Sequence, residues 1–171
     1  IAAEEQGTTA RDAFVTIMIW GRGPDNRGPA LTKKMMKTKD FDETLADIIR
    51  ISSAPEVTHS DAFLSLFVKG RSRIPGLGIS FGTKLIHAFS DDQSESPALV
   101  YDDLVKRALR ALRESGVDGV PDGPSPWRFM RARQYAGYCE WSAERASEWN
   151  VKPRDVEFAL FQLGRRVKTK E

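Results

Sequence analysis

The segment Ile74-Pro75-Gly76-Leu77-Gly78 makes the chain reverse direction between two stretches whose apolar residues recur at helical spacing. Proline fixes φ and lacks an N–H, while glycine enters positive φ without steric cost, so no regular helix continues through this corner. Before it, Thr58 or Ser60 can N-cap a helix that runs to about Val68; after it, Ser80 to Phe89 reads as a short helix. Two helices joined in this way leave bare amides at the start of the second. A phosphate can approach those amides because no side chain stands in front of them.

The other segments carry the same period. Thr9 to Trp20 aligns Ala10, Ala13, Phe14, Ile17 and Met18, and Phe41 to Ile51 aligns Leu45, Ile48 and Ile49. Tyr101 to Ser115 turns Leu104, Val105, Ala108, Leu109 and Leu112 inward, with its arginines and lysine outward. Trp127 to Trp149 and Pro153 to Val167 close the chain as helices, and Pro153 suits a first turn. Gly21 to Pro29, Asp91 to Pro97 and Gly116 to Pro126 are rich in glycine, proline or polar residues and read as loops. Residues 1–56 show no alternating strand pattern. The expected architecture is a single all-α domain over residues 1–171, with the hairpin at about 60–90.

With 171 residues the chain can bury one real core. Its formal net charge is only +2, so a nucleic-acid surface would have to come from local clusters. Those clusters are Lys33-Lys34, Lys69 to Arg73, Lys106 to Arg113, Arg128 to Arg133 and Arg165 to Lys170, many of which also suit plain solvated helix faces. One cysteine, Cys139, excludes an internal disulfide and a cysteine-built zinc or iron–sulfur centre, and two histidines are too few for a histidine cage. No metal and no cofactor is expected. No long apolar run or signal pattern stands in the sequence, so no membrane partner is expected and a cytoplasmic monomer is the default.

The corner, Lys84 after it and the aspartate of Val100-Tyr101-Asp102 together resemble the helix-hairpin-helix DNA glycosylase superfamily, most closely its 8-oxoguanine glycosylase branch. That pattern has an LPGxG hairpin, a lysine shortly after it, and an aspartate roughly twenty residues on in a V-x-D context. The resemblance covers about residues 57–113 and returns near the C-terminus. One position departs from the pattern: the family's usual lysine place is held by Ser80, and Lys84 stands four residues further. Positions i and i+4 share a helix face, so a long side chain can bridge that turn. Superfamily members with serine at this place proceed without an amine nucleophile, which leaves that alternative open.

The resemblance implies a helix-hairpin-helix DNA glycosylase-like helical bundle that removes 8-oxoguanine or another altered guanine, with or without AP lyase activity. It implies Lys84 as nucleophile and Asp102 as the carboxylate beside the sugar, with Asp102 or Asp103 as a plain helix N-cap the competing reading. Gly76, Gly78, Ser80, Thr83 and Arg73 would grip double-stranded DNA. Glu157 and Phe161 match the terminal-helix glutamine and phenylalanine that hold the flipped base, and Trp127 would join that pocket. A carboxylate at 157 can accept from both N1–H and the exocyclic amine of a guanine, a pair of donors that adenine lacks. Core packing is the ordinary expectation for Trp20 and Trp127, contact with the base or the opposite strand being the other reading, and for His87 a satisfied, partly buried role is expected over a phosphate contact. The alternative function is a non-catalytic helix-hairpin-helix module that binds DNA without releasing a base.

Overall fold

A computed structural model describes residues 2–22, 27–67, 73–90, 97–122 and 131–167. Among them are eight α-helices and no strand, the all-α class that the periodicity implies. They are α1 (Ala2–Arg22), α2 (Arg27–Met35), α3 (Phe41–Ser53), α4 (His59–Phe67), α5 (Ile79–Phe89), α6 (Asp103–Glu114), α7 (Ala132–Trp149) and α8 (Pro153–Arg166). None of the described helices is long and apolar enough to cross a membrane.

Local chemistry sets the helix ends. Thr58 caps α4: its Oγ1 accepts from the Asp61 N–H at 3.1 Å and donates to Asp61 Oδ2 at 2.7 Å. Pro153 opens α8, where its missing N–H costs nothing, and Asp155 accepts from the Lys152 N–H at 2.9 Å. Asn150 ends α7 in the left-handed region at φ 53°.

The expected loop from Gly21 to Pro29 is corrected at both ends. Helix α1 continues through Gly21 to Arg22, and α2 starts at Arg27. Pro29 falls within the first turn of α2, where no intrahelical donor is lost. Thr32 adds a hydrogen bond from Oγ1 to the Gly28 carbonyl at 2.9 Å. The helix expected from Tyr101 begins instead at Asp103, because Asp102 caps it and residues 97–101 run as a buried, irregular segment.

Helix α1 packs on α2, α3 and α5, while α4 touches α3, α5 and α7. Helix α8 then lies between α7 and α6. One core joins these layers through buried Phe14, Met18, Leu45, Ile48, Phe63, Leu85 and Tyr135. Phe63 of α4 stacks on Tyr135 of α7 with centroids 4.9 Å apart.

Helices α6 and α8 meet backbone to backbone at Gly164, where a Cβ would stand 2.0 Å from the Leu104 carbonyl oxygen. A carbonyl cannot swing aside as a side chain can. Gly164→Ala is therefore expected to force the two helices apart and to cost about 1–3 kcal/mol. The urea midpoint should fall with the m-value unchanged.

Candidate active site

Residues 97–101 form a strap with no strand partner, yet its buried amides and carbonyls are bonded by side chains from three helices. His87 Nδ1 on α5 lies 2.9 Å from the Ala98 carbonyl oxygen. Tyr135 and Tyr138, three residues apart on α7, donate their hydroxyls to the Leu99 and Val100 carbonyls at 2.7 and 3.0 Å. The Val100 N–H donates to Glu157 Oε2 at 2.9 Å, and the Tyr101 N–H to Thr83 Oγ1 at 3.0 Å. Burial, foremost, raises both phenols well above their usual range, so they stay hydrogen-bond donors. Burial likewise pushes the Cys139 thiol to about 12, which makes it an inert packing residue.

The strap ends at Asp102, whose Oδ1 accepts from the Leu104 and Val105 N–H groups at 3.0 and 3.1 Å. Its other oxygen, Oδ2, accepts from Lys84 Nζ at 3.0 Å. Lys84 also donates to Ser80 Oγ at 3.3 Å, one turn back on the same face of α5. The ion pair is well enclosed, with Lys84 5% and Asp102 13% exposed. Over the amine stand the rings of Trp20 and Phe81, with centroids 5.4 and 5.9 Å away, within cation–π range. Gly21 permits this approach: a Cβ there would meet Phe81 Cε1 at 2.5 Å and Lys84 Cδ at 3.1 Å.

This grouping suits chemistry at an electron-poor carbon. An amine that sheds its proton is a nucleophile, and a carboxylate fixed by two amides stabilises positive charge developing beside it without having to reorganise. Asp102 thus serves as helix cap and as partner of the amine at once.

Glu157 reaches the same region from α8. Besides the Val100 N–H, its Oε2 stands 3.6 Å from His87 Nδ1, and its side chain is 15% exposed. Burial raises its carboxyl from the usual 4.5 to about 7, the Val100 N–H opposing and Asp102 adding to the rise, with Arg154 and Lys84 pulling it down. The folded protein therefore holds this proton more tightly than the unfolded chain does. Its contribution to stability is full below pH 4.5 and is lost as the pH climbs to about 7. Phe161 follows one turn later on the same face and is half-buried.

The remaining sequence-derived residues separate clearly. Gly76 takes φ +89°, a conformation that a side chain would strain. Gly78 is the N-cap of α5 and gives the first amides of that helix no side-chain capping bond. Arg73, Gly76 and Gly78 are exposed, and Ser80 is half-buried against Lys84. Thr83 is corrected: it is wholly buried, bonded to the strap at Tyr101, and cannot touch DNA. Trp20 is corrected as well, since it lies 63% exposed over the amine instead of in the core. Trp127 lies outside the described residues, as do Lys69 and Arg71. Sequence reasoning missed Tyr135 and Tyr138 as supports of the strap; their three-residue spacing on one helix was the available signal.

No curated protein and no solved structure matches the chain. Residues 1–161 match a family described as "Putative 8-oxoguanine DNA glycosylase OGG-like protein". Spanning the corner, the strap and α8 up to Phe161, that match shows that the chain belongs to this OGG-like DNA glycosylase family.

Proposed function

We propose that the protein is a DNA glycosylase that excises 8-oxoguanine or another altered guanine from duplex DNA, with Lys84 as the attacking amine and Asp102 as the carboxylate beside the sugar. The 3.0 Å contact between these two groups, enclosed by the fold and roofed by an exposed indole, carries this reading. When the bond from C1′ to the base breaks, its electron pair leaves with the base and positive charge grows on the sugar. Asp102 stabilises that charge, and the Lys84 lone pair closes on C1′. Opening of the sugar ring then gives a Schiff base, from which β-elimination would nick the strand. Every group required comes from one chain, so a monomer suffices.

Arg73, Gly76, Gly78 and Ser80 would hold the phosphate backbone, the glycines through bare amides at the start of α5 and Arg73 through charge. Such contacts orient the duplex without reading its sequence. An everted base needs an aromatic face and a hydrogen-bonding edge, for which Phe161 and Glu157 stand one turn apart on α8, with Trp127 proposed as a third member. The test is a panel of duplexes, each with one altered base, scored separately for free base and for strand scission. Release of altered guanine but not of normal bases is the expected result, and scission that accompanies release marks the lyase. Equal binding of damaged and undamaged duplex with no base released would overturn this reading in favour of a non-catalytic DNA-binding module.

A further inference from the structure

The excision chemistry above, on which this inference rests, leaves one group unassigned. A purine expelled from C1′ departs as an anion unless an acid supplies a proton as the bond breaks. Asp102 is committed as an acceptor to two amides and Lys84, and Lys84 attacks as the free amine, its ammonium proton having passed to solvent, so that its lone pair goes to carbon. Glu157 has a different setting. Its Oε2 accepts from the Val100 N–H at 2.9 Å, a bond that a neutral carboxyl makes through its carbonyl oxygen. Its Oε1 makes no hydrogen bond among the described residues, although the side chain keeps 15% of its exposure. His87 Nδ1 donates to the Ala98 carbonyl at 2.9 Å, which turns that N–H away from Glu157, 3.6 Å off.

We infer that Glu157 is the acid of the reaction, and that its Oε1–H protonates the base as the glycosidic bond breaks. The electron pair of the C1′–N bond moves onto the base, and the base takes the proton from Oε1. Glu157 is left as a carboxylate while the amine lone pair forms the new C1′–N bond. The surplus proton on that nitrogen then returns through water to Glu157, so charge and protons balance. The two carboxyls of the site thereby divide the work, one as fixed counter-charge and one as proton donor.

The neighbours of Glu157 agree with this division. Lys84 and His87 reach it from α5, Asp102 from the end of the strap, Arg154 from α8, and the buried Tyr135, Tyr138 and Cys139 from α7. Burial outweighs the cations, and the carboxyl titrates at about 7. An acid of that strength is protonated in a useful fraction at neutral pH and still gives up its proton readily.

The deciding measurement is single-turnover base release against pH, on a duplex that the wild type processes. The wild-type rate divided by that of Glu157→Gln at the same pH should fall tenfold per pH unit above about 7, because both proteins share the need for a free amine. Glu157→Gln keeps an oxygen for the Val100 N–H but has no proton to give at any pH. It should run slower by about 10²–10⁴-fold at and below neutral pH, while still binding the duplex. A ratio of the two rates that stays constant through neutrality overturns the inference. So does a glutamine variant that keeps the wild-type rate. Absence of base release by the wild type from every duplex sinks the excision reading itself, whereas release with an unchanged Gln profile sinks only the role of Glu157.

Discussion

Lys84→Ala abolishes the covalent protein–DNA adduct that borohydride traps from the wild type on an altered-guanine duplex. That is the expected outcome if the amine at 3.0 Å from Asp102 is the one that closes on C1′. Alanine also strips the enclosed carboxylate of its counter-ion, and breaking a pair as buried as this one costs about 3–5 kcal/mol. Loss of activity in the alanine variant must therefore be separated from loss of fold. Lys84→Gln does this, because it retains most of the packing and a donor toward Asp102 yet cannot form a Schiff base. The glutamine variant should melt near the wild type, bind the duplex and give no adduct. An adduct that survives in Lys84→Gln means that another amine attacks. Base release that survives without an adduct means that water does.

Asp102→Asn isolates the charge of the carboxylate from its structural duty. Asparagine caps helices about as well as aspartate does, so the bonds to the Leu104 and Val105 amides and the start of α6 should persist. What disappears is the negative charge beside the reacting carbon. Base release in single turnover should slow by roughly 10²–10³-fold, about 3–4 kcal/mol of barrier, with duplex affinity unchanged. A rate equal to that of the wild type would remove Asp102 from the mechanism and leave it as the cap of α6 alone.

The helices were legible wherever apolar residues kept a helical period, as in Phe41 to Ile51 against the observed Phe41–Ser53. Glycine and proline misled the reading between 21 and 29, because composition does not reveal that Pro29 falls in a first turn and that Gly21 serves close packing against Phe81. Lys84 and Asp102 could be named from the resemblance to the glycosylase pattern, and Lys84 reaches both Ser80, one turn back, and Asp102. Thr83 could not be judged from sequence, since a hydroxyl next to a glycine corner looks the same whether it meets a phosphate or a backbone amide. Only the strap, which has no period of its own, decides between them. Trp20 was opaque for a related reason: a tryptophan at the end of an amphipathic helix has no sequence mark that separates a core side chain from a roof.

That roof bears on what the protein meets outside its substrate. A free lysine amine condenses readily with sugars, glyoxals and other small aldehydes in solution. Lys84, 5% exposed beneath an indole and clasped by a carboxylate, is withdrawn from such encounters. On the proposed mechanism, selective access of this sort keeps the attacking amine from becoming a casualty of glycation.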